Sequence, residues 1–472
     1  MKKSVIAAVL AAAALLVSSS VSFSACNIPE KISSGTDTMS SVFTQDKSLM
    51  KIGAASVCTN PTVPIHLTGF GNIDRKYLGV HDDIEMDAVA FECEGKRSVI
   101  VAADTLGWDK GLTDQLRERI EKELGVDKNA LMFNASHTHS APNTLTNTHG
   151  LGGYVKEYSD WFYETAFQTV KAALDDLEEG AIYIGESPAK FVSINRRLIK
   201  GGVCYWQPWD AGPRNDNVMV IKAVCNDKVK AVLFNFACHP STMNGDYITA
   251  DYVGYARNYI EKKIPGTTAV FIQGCGGDLK TRALTEDGSA FKVSYEGAEA
   301  CGSRLGSSVV ALCNGKAGDM TCLDGSVSAK VARFTIPLQE NKTTKAQYLS
   351  LSKSSTGVLP EVYTWFYENY ESLPTEIPYS IQRIDFGDKF TIFALEGEAV
   401  VEYDALFKAL LPDRKVMVAG YSNGEIGYIC TTHMYAEGGY EPDGSTIYYG
   451  IPQGFVPEIE SIIMQKASEL CE

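Results

Sequence analysis

Two of the seven histidines in this chain, His137 and His139, lie within three residues of each other and follow the apolar run at 130–133. Such a run is typical of the end of a buried strand. Side chains alternate along a strand, so positions i and i+2 project from the same face. Two imidazoles on one face can converge on one metal ion or one substrate, and neutral imidazole is a common ligand of Zn²⁺. The pattern favours metal binding or catalysis over a solvated loop or a buried structural pair.

Two further strand ends carry candidate ligands. His239 follows the apolar stretch at 230–238, and the carboxylates Glu396 and Glu398 follow a strand that ends at Leu395. Binding sites of α/β folds are commonly built at strand ends, because the sheet fixes the side chains and the loops leave them open to ligands. A lone histidine at a strand end is more often structural, and Glu398 has an alternative role at the N-terminus of the following helix. Next to the first histidine pair, His239 and a carboxylate become candidates for a zinc site.

Apolar strand-like segments alternate with amphipathic helix-like segments after residue 50. Buried strands are predicted at 98–104, 218–225, 230–238, 268–275 and 415–421, and helices at 111–124, 154–177, 251–264, 299–313, 399–411 and 456–470. This alternation predicts an α/β fold with central β-sheets flanked by helices. No linker rich in Pro, Gly or Ser divides it, so residues 51–472 are predicted to form one domain.

The N-terminus has the pattern of an export signal. Lys2 and Lys3 precede an apolar stretch at 5–17 that is too short to span a membrane comfortably. We therefore predict a signal peptide at 1–25 and a polar tether at 26–50.

The residues around Cys26 leave two exported locations open. Phe23-Ser24-Ala25-Cys26 resembles a bacterial lipobox, with Phe23 in place of the usual leucine. Lipidation of Cys26 would anchor the protein at the bacterial cell surface and associate it with a membrane, whereas simple cleavage would secrete it. The other eleven cysteines form no CxxC pair and no zinc-finger spacing.

The composition excludes one class of partner. The net charge is −15 and the sequence pI is near 5.1, whereas a general nucleic-acid binder needs a basic face. The glycine-rich segment at 273–278 matches neither a P-loop nor a GxGxxG fingerprint, so nucleotide binding is not indicated. A small-molecule or lipid substrate remains compatible with this composition, and the oligomeric state is not indicated.

Five motifs in a fixed order give the chain a family resemblance. They are His137-Thr138-His139-Ser140-Ala141-Pro142, Asn195-Arg196, His239-Pro240, Gly397-Glu398, and the tyrosine-bearing segment from Tyr428 through Tyr440 to Gly450. Over roughly residues 50–470 the set resembles the catalytic domain of the neutral/alkaline, non-lysosomal ceramidases, as it would stand in a divergent bacterial relative. No single motif is decisive, but five in order are specific.

The resemblance implies a zinc-dependent hydrolase of sphingolipid metabolism that cleaves the amide bond of ceramide or of another N-acyl substrate. The residues that it implies as Zn²⁺ ligands are His137, His239, Glu398 and Tyr428. It further implies that His139 steadies the oxyanion, and that Arg196 and Tyr440 hydrogen-bond the reacting amide or its neighbours. Spacing alone would instead make His139 a metal ligand.

Three features depart from the family pattern. Lys280 stands where the family has a serine in its active site, Ala141 replaces a glycine, and the chain ends before the family's C-terminal immunoglobulin-like domain. Lys280 is expected to favour an anionic group on the substrate or to pair with Asp278. These departures weigh against ceramide itself more than against the metal. The segment at 202–209 supplies either an aromatic wall for an acyl chain or a packed surface loop.

Three hypotheses about function follow. The first is an exported zinc-dependent amide hydrolase. The second is a non-catalytic surface lipoprotein that keeps the fold and binds a ligand without turnover, which Lys280 favours. The third is a thiol hydrolase that uses Cys275 or Cys238 together with a histidine.

Overall fold

Two β-sheets form the centre of this chain, and helices cover their outer faces. The computed structural model describes residues 50–71, 75–323 and 326–472. The predicted signal peptide at 1–25 lies outside the described residues, and so does the predicted tether apart from Met50, where the first strand begins. The described residues all belong to one compact unit.

The strands are β1 (Met50–Cys58), β2 (Gly79–Val80), β3 (Glu85–Cys93), β4 (Lys96–Ala103), β5 (Leu131–Ala135), β6 (Glu178–Pro188), β7 (Ser193–Lys200), β8 (Val203–Trp209), β9 (Asn217–Cys225), β10 (Lys228–Phe236), β11 (Tyr247–Ile248), β12 (Thr268–Gln273), β13 (Leu279–Thr281), β14 (Thr321–Leu323), β15 (Val327–Pro337), β16 (Glu376–Phe386), β17 (Phe390–Leu395), β18 (Glu398–Ala399), β19 (Lys415–Ala419) and β20 (Tyr428–Ile429). The α-helices are α1 (Lys110–Leu124), α2 (Lys156–Asp175), α3 (Tyr252–Lys263), α4 (Tyr295–Cys313), α5 (Lys345–Ser354), α6 (Leu359–Glu368), α7 (Glu402–Leu410), α8 (Thr432–Glu437) and α9 (Ile459–Glu469). None of these helices has the length and apolar character that a membrane span requires.

The larger sheet is curved so that its two edge strands meet. Its strand order is β12-β10-β9-β6-β1-β3-β4-β5, with β14 paired to β6. Most neighbours are antiparallel, but the outermost pairs β10–β12 and β4–β5 are parallel. The side chain of Asn134 on β5 accepts a hydrogen bond of 2.8 Å from the N–H of Gln273 on β12. The carboxyl ends of β5, β10 and β12 therefore lie together.

The smaller sheet adds another strand end to the same place. Its order is β15-β16-β17-β19, and β17 and β19 are parallel. Asn134 donates to the carbonyl of Gly420, just after β19, at 2.8 Å. The buried amide of Asn134 thus links strand ends of both sheets.

An apolar core lies between the two sheets, and further apolar clusters join each sheet to its helices. The shared core includes Phe91 and Ile272 of the larger sheet and Ile392 and Met417 of the smaller one. α1 and α2 pack on β3–β5, α3 and α4 pack on β9, β10 and β12, and α7 and α9 pack on the smaller sheet. The predicted α/β fold with central β-sheets flanked by helices is confirmed.

One predicted boundary was wrong in a way that bears on the site. The helix predicted to begin at residue 399 begins at Glu402, because Glu398 and Ala399 form the short strand β18, which pairs with β20. Glu398 is therefore not in the first turn of α7, and the alternative role of stabilising that helix N-terminus does not apply.

Candidate metal centre

Three chain segments that leave strand ends meet at one buried point. His137 follows β5, His239 follows β10, and Glu398 follows β17. The Oε2 atom of Glu398 lies 3.2 Å from Nε2 of His137 and 2.9 Å from Nε2 of His239. All three residues are at most 1% exposed. The structure thus brings together three residues that the sequence spreads over more than half of the chain.

The first histidine pair does not have the strand geometry that its spacing predicts. β5 ends at Ala135, and His137 adopts a left-handed backbone conformation with φ 66°, which is uncommon outside glycine. The N–H of His137 donates to the carbonyl of Thr105 at 3.0 Å, and the N–H of His139 donates to the carbonyl of Pro240 at 3.2 Å. The two rings still approach each other, with centroids 4.9 Å apart, but a turn brings them together.

Glu398 and Tyr428 reach the centre as partners in a two-stranded parallel sheet. β18 and β20 pair with Glu398 opposite Tyr428. The hydroxyl of Tyr428 lies 3.3 Å from Nε2 of His239 and accepts a hydrogen bond of 2.8 Å from Arg196. All four residues predicted as metal ligands therefore lie around one point.

Backbone hydrogen bonds fix which nitrogen of each histidine faces that point. Nδ1 of His137 donates to the carbonyl of Leu106 at 2.6 Å, and Nδ1 of His239 donates to the carbonyl of Gly276 at 2.7 Å. A carbonyl oxygen only accepts, so each Nδ1 carries a proton, and in the tautomer with this single proton the lone pair of Nε2 faces Glu398. Metal-binding histidines commonly have this arrangement, in which a carbonyl orients the ring.

The charges at this point fit a bound cation. Burial, together with the Arg196 guanidinium, lowers the pKa of His239 to about 3, so the ring is neutral at neutral pH. Oε2 of Glu398 faces Nε2 of His239 and of His137 and has no hydrogen-bond donor among the described residues. Such a group of acceptors fits a divalent metal ion.

The position of His139 is compatible with two roles, a third histidine ligand of the metal or a side chain that faces the adjoining cavity. One nitrogen from each of His137, His139 and His239 lies within 4.8 Å of the others, so the three histidines are also compatible with a metal site. Burial and the two neighbouring imidazoles lower the pKa of His139 well below its usual value, which keeps the ring neutral. Both of its ring nitrogens are buried without a hydrogen-bond partner in the described part of the chain.

A cavity of about 440 Å³ adjoins the metal centre and contains all three residues predicted to be catalytic. These are His139, Arg196 and Tyr440. The other lining residues are Gly69, Phe70, Gly71, Trp206, Ser241, Lys280, Tyr428 and Tyr448. Trp206 belongs to the segment at 202–209, for which the sequence left two alternatives, an aromatic wall and a packed surface loop. A larger cavity of about 590 Å³ lies elsewhere, around Glu402 and His433, and contains none of the predicted catalytic residues.

Arg196 is held firmly at this cavity. Its Nε atom donates to Glu441 at 2.9 Å, and its guanidinium carbon lies 4.3 Å from the ring centroid of Trp206. A charge-assisted bond and a cation–π contact both restrict a planar guanidinium. Tyr440 packs edge-on against Trp206 and Tyr428, with ring centroids 5.6 Å away in each case.

Lys280 lines the cavity but does not pair with Asp278, so that expectation was wrong. Its Nζ atom donates to the hydroxyl of Ser241 at 2.8 Å and also to the Ser241 carbonyl. Asp278 instead accepts from the side chain of Asn195 at 2.7 Å and from the N–H of Val401 at 2.8 Å. Burial lowers the pKa of Lys280 to about 8, which leaves it mostly protonated at neutral pH.

Other sequence candidates do not take part in the metal centre. Glu396 accepts a hydrogen bond of 2.6 Å from Lys110, and another from Ser380. Burial raises the pKa of the Cys238 and Cys275 thiols well above their usual value. Neither cysteine is a ready thiolate, which counts against the thiol hydrolase.

The residue that joins the two histidine segments, Gln273, was not predicted from the sequence. The side-chain amide of Gln273 donates to the carbonyls of Ser136 at 2.9 Å and Cys238 at 2.8 Å, and accepts from the N–H of Cys238 at 3.3 Å. Ser136 and Cys238 immediately precede His137 and His239. The Gln273 side chain therefore fixes the distance between the two segments. The only feature of the sequence that could have indicated this role is that Gln273 is a polar residue at the end of an apolar run.

Two further neighbours of the centre were also missed. The hydroxyl of Tyr449 donates to Oε1 of Glu398 at 2.8 Å, and burial raises the pKa of Tyr449 well above its usual value, so the hydroxyl keeps its proton. Gly69 has φ 98°, and a Cβ atom at this position would lie 2.6 Å from a ring carbon of His139. Only glycine fits there.

Comparison with known sequences gives one consistent family. The family described as neutral/alkaline non-lysosomal ceramidase, N-terminal, matches residues 50–326. The neutral ceramidase of Drosophila pseudoobscura pseudoobscura is 26% identical over 236 residues, which are 46% of this chain and 33% of that protein. The neutral ceramidase of Drosophila melanogaster is 24% identical over 317 residues, which are 57% of this chain and 44% of that protein. The matches thus span less than half of the length of these relatives.

Comparison with solved structures shows the same fold over most of the chain. The neutral ceramidase from Pseudomonas aeruginosa superposes with a TM-score of 0.71 at 18% identity, over 90% of this chain and 75% of that one. A structure of a ceramidase complexed with C2 gives a TM-score of 0.70 at the same identity and coverage. This likeness extends beyond residue 326, where the family match ends.

We expect Gln273→Met to lower zinc affinity by about 10-fold or more, because residues that support metal ligands typically matter by about 10–100-fold. The substitution keeps the side-chain volume but leaves backbone groups beside both histidines unpaired, at a cost of about 1–3 kcal/mol each. Titration of the folded variant with zinc by calorimetry measures the change.

The control for this variant is Asn235→Leu. Asn235 is another buried amide in the larger sheet, and it donates to the carbonyls of Ile272 at 3.1 Å and Val418 at 3.3 Å. It should lose stability without losing zinc affinity. Equal zinc affinity in the wild type and Gln273→Met would contradict the role given to Gln273.

Proposed function

The chain belongs to the neutral/alkaline non-lysosomal ceramidase family, and on that premise we propose that it is a zinc-dependent hydrolase that cleaves the amide bond of an N-acyl substrate. The observation that carries this proposal is the convergence of Nε2 of His137, Nε2 of His239 and Oε2 of Glu398 beside a cavity. Because one fold can host many functions, the arrangement of these three atoms is stronger support for the proposal than the fold itself.

The donor set suits zinc, for which imidazole nitrogens and carboxylate oxygens are ordinary protein ligands. We assign the ligand positions to His137, His239 and Glu398, with Tyr428 as the fourth. Burial raises the pKa of the Tyr428 hydroxyl well above its usual value. The Arg196 guanidinium, which donates to that hydroxyl, acts in the opposite direction and favours the phenolate form that a metal ligand needs. A bound zinc ion would supply Lewis acidity towards a carbonyl group and lower the pKa of a water molecule to about 7.

His139, Arg196 and Tyr440 are assigned to the reacting amide. Negative charge develops on the amide oxygen during hydrolysis, and one oriented donor at such an oxygen is worth about 10²–10³ in rate. A neutral His139 has one N–H to donate, and its ring nitrogens have no other partner among the described residues. Arg196 and Tyr440 face the same cavity, so their N–H and O–H groups can position the substrate.

The rest of the cavity wall supports an N-acyl substrate. Phe70, Trp206 and Tyr448 line it, and aromatic side chains offer apolar surface to an acyl chain while they exclude water. Ceramide is one candidate substrate, and other N-acyl compounds fit the same description.

Ligand binding without turnover is the alternative function, and Lys280 is the observation that favours it. A charged side chain lines the cavity in place of the serine of the family pattern. Product formation by the metal-loaded protein separates the two functions.

We further propose that the protein is exported and is either secreted or anchored at the cell surface through Cys26. The support is the charged and apolar pattern of residues 1–26. Mass spectrometry of the mature N-terminus would distinguish cleavage alone from lipidation.

We expect the zinc-loaded protein to hydrolyse members of a panel of N-acyl lipids and N-acyl amino acids. A chelator should abolish hydrolysis and added zinc should restore it. His137→Ala and Glu398→Gln should each lose zinc and activity together, because each removes a ligand atom. Release of the free acid, with zinc content by mass spectrometry, provides the measurement.

Glu396→Gln is the matched control, since it makes the same chemical change two residues away at a carboxylate that contacts Lys110 instead. It should keep its zinc. Wild-type zinc content and rate in His137→Ala would show that the ligand assignment is wrong, and binding without product from any substrate would support the alternative function.

A separate variant tests whether His139 is an oxyanion donor or a metal ligand. We expect His139→Asn to keep zinc affinity within about threefold while the rate constant kcat falls by about 10²–10³, as it does when an oxyanion donor is removed. Zinc titration and steady-state kinetics on one preparation test both parts. A large loss of zinc affinity would make His139 the third ligand instead, together with His137 and His239.

A further inference from the structure

The cavity beside the metal centre has a positively charged wall in an acidic protein. The chain has a net charge of −15. Two cations, Arg196 and Lys280, line the cavity, and no carboxylate is among the lining residues that the structure describes. Clefts lined by charge of one sign concentrate ligands of the opposite sign. The local charge therefore points to an anionic group on the ligand.

The two cations differ in how fully their charge is matched. Arg196 forms a salt bridge of 2.9 Å with Glu441. Lys280 donates to the hydroxyl and the carbonyl of Ser241, both of which are neutral. Within 4.0 Å of its Nζ atom, the described part of the chain offers no carboxylate oxygen. Lys280 is thus the cation whose charge remains available to a ligand.

The hydrogen bonds of Lys280 also leave it a free donor. An ammonium group has three N–H donors, and two of them go to Ser241. The acidic side chain that acts most strongly on Lys280 is Asp251, whose oxygens already accept from the N–H groups of Thr242 at 2.8 Å and Tyr252 at 2.7 Å. The Nζ atom also lies 5.6 Å from the ring centroid of Phe291. Its third N–H has no hydrogen-bond acceptor among the described residues, so it is free for a ligand in the cavity that Lys280 lines.

Lys280 lies close to the residues assigned to the reaction. The backbone of Lys280 forms a bridge with that of His239, and Ser241, which holds its ammonium group, is only two residues beyond His239. The charge of Lys280 also acts on His139. An anion bound at Lys280 would therefore lie near the scissile amide.

We propose that Lys280, with the hydroxyl of Ser241, binds a carboxylate on the amine side of the scissile bond, so that the substrates are N-acyl amino acids. An acyl chain has no charge, so the anion must belong to the amine half of the molecule. One ammonium and one hydroxyl match a single negative charge, whereas a phosphate usually takes several cationic or backbone donors. This inference rests on the proposed function and deepens it.

The test compares amides that differ only in the head group. The zinc-loaded full chain is given N-lauroylglycine, N-lauroylethanolamine and N-lauroylethanolamine phosphate. We expect kcat/KM to be about 10- to 100-fold higher for the carboxylate than for the neutral alcohol, as one charge-assisted hydrogen bond implies. A higher value for the alcohol or for the phosphate would overturn the carboxylate assignment.

Variants then assign the preference to Lys280. In Lys280→Met the ratio of kcat/KM between N-lauroylglycine and N-lauroylethanolamine should fall by about 10-fold or more, mainly through KM, and Lys280→Arg should restore part of it. Lys222→Met is the matched control, because Lys222 also donates to a backbone carbonyl, that of Cys313, at 3.2 Å. It should leave the ratio unchanged.

The outcomes separate this inference from the proposed function. Hydrolysis of ceramide but of none of the three amides would overturn this inference alone, and hydrolysis of none of the four would remove the proposed function itself. Hydrolysis with an unchanged ratio in Lys280→Met would leave the hydrolase in place and overturn the role of Lys280. The wild-type comparison needs no variant, so it stands even if Lys280→Met fails to fold.

Discussion

A buried carboxylate oxygen that faces two imidazole lone pairs is the constraint on which the site depends. Oε2 of Glu398 lies 3.2 Å and 2.9 Å from the Nε2 atoms of His137 and His239, and carbonyls hold the ring protons on the far nitrogens. Buried charge without a partner is costly, so a cation bound at this point would stabilise the whole arrangement. The surrounding bonds, from Tyr449 to Glu398 and from Gln273 to both histidine segments, keep the acceptors in place.

The ends of the strands that carry the candidate ligands were predicted from the sequence, but the way in which these ends meet was not. Alternating apolar and amphipathic runs predicted the sheets and helices, and the histidines marked two of the strand ends. The pairing of Glu398 with Tyr428 depends on a two-residue parallel sheet, which is too short to leave a periodic pattern. His137 and His139 converge because His137 has φ 66°, not because strand side chains alternate. The link made by Gln273 is a tertiary contact that no local pattern predicts.

The metal centre and the cavity wall divide the chemistry between them. The candidate ligands lie on segments fixed by both sheets, which suits a site that must hold its geometry. Part of the cavity wall, including Phe70, Ser241 and Lys280, comes from connecting segments and from the three-residue strand β13, where side chains can differ without disturbing the two large sheets. Lys280 replaces a residue of the family pattern at such a place. On the functions proposed above, a shared reaction with a different head group on the substrate would follow from that division.

The central claim is that one zinc ion occupies the point between His137, His239 and Glu398. Diffraction from zinc-loaded crystals, measured on both sides of the zinc absorption edge, tests this claim most directly. We predict a single strong anomalous peak per chain, within bonding distance of Nε2 of both histidines and Oε2 of Glu398. A zinc peak elsewhere, or no peak at this point in crystals that contain zinc, would contradict the account.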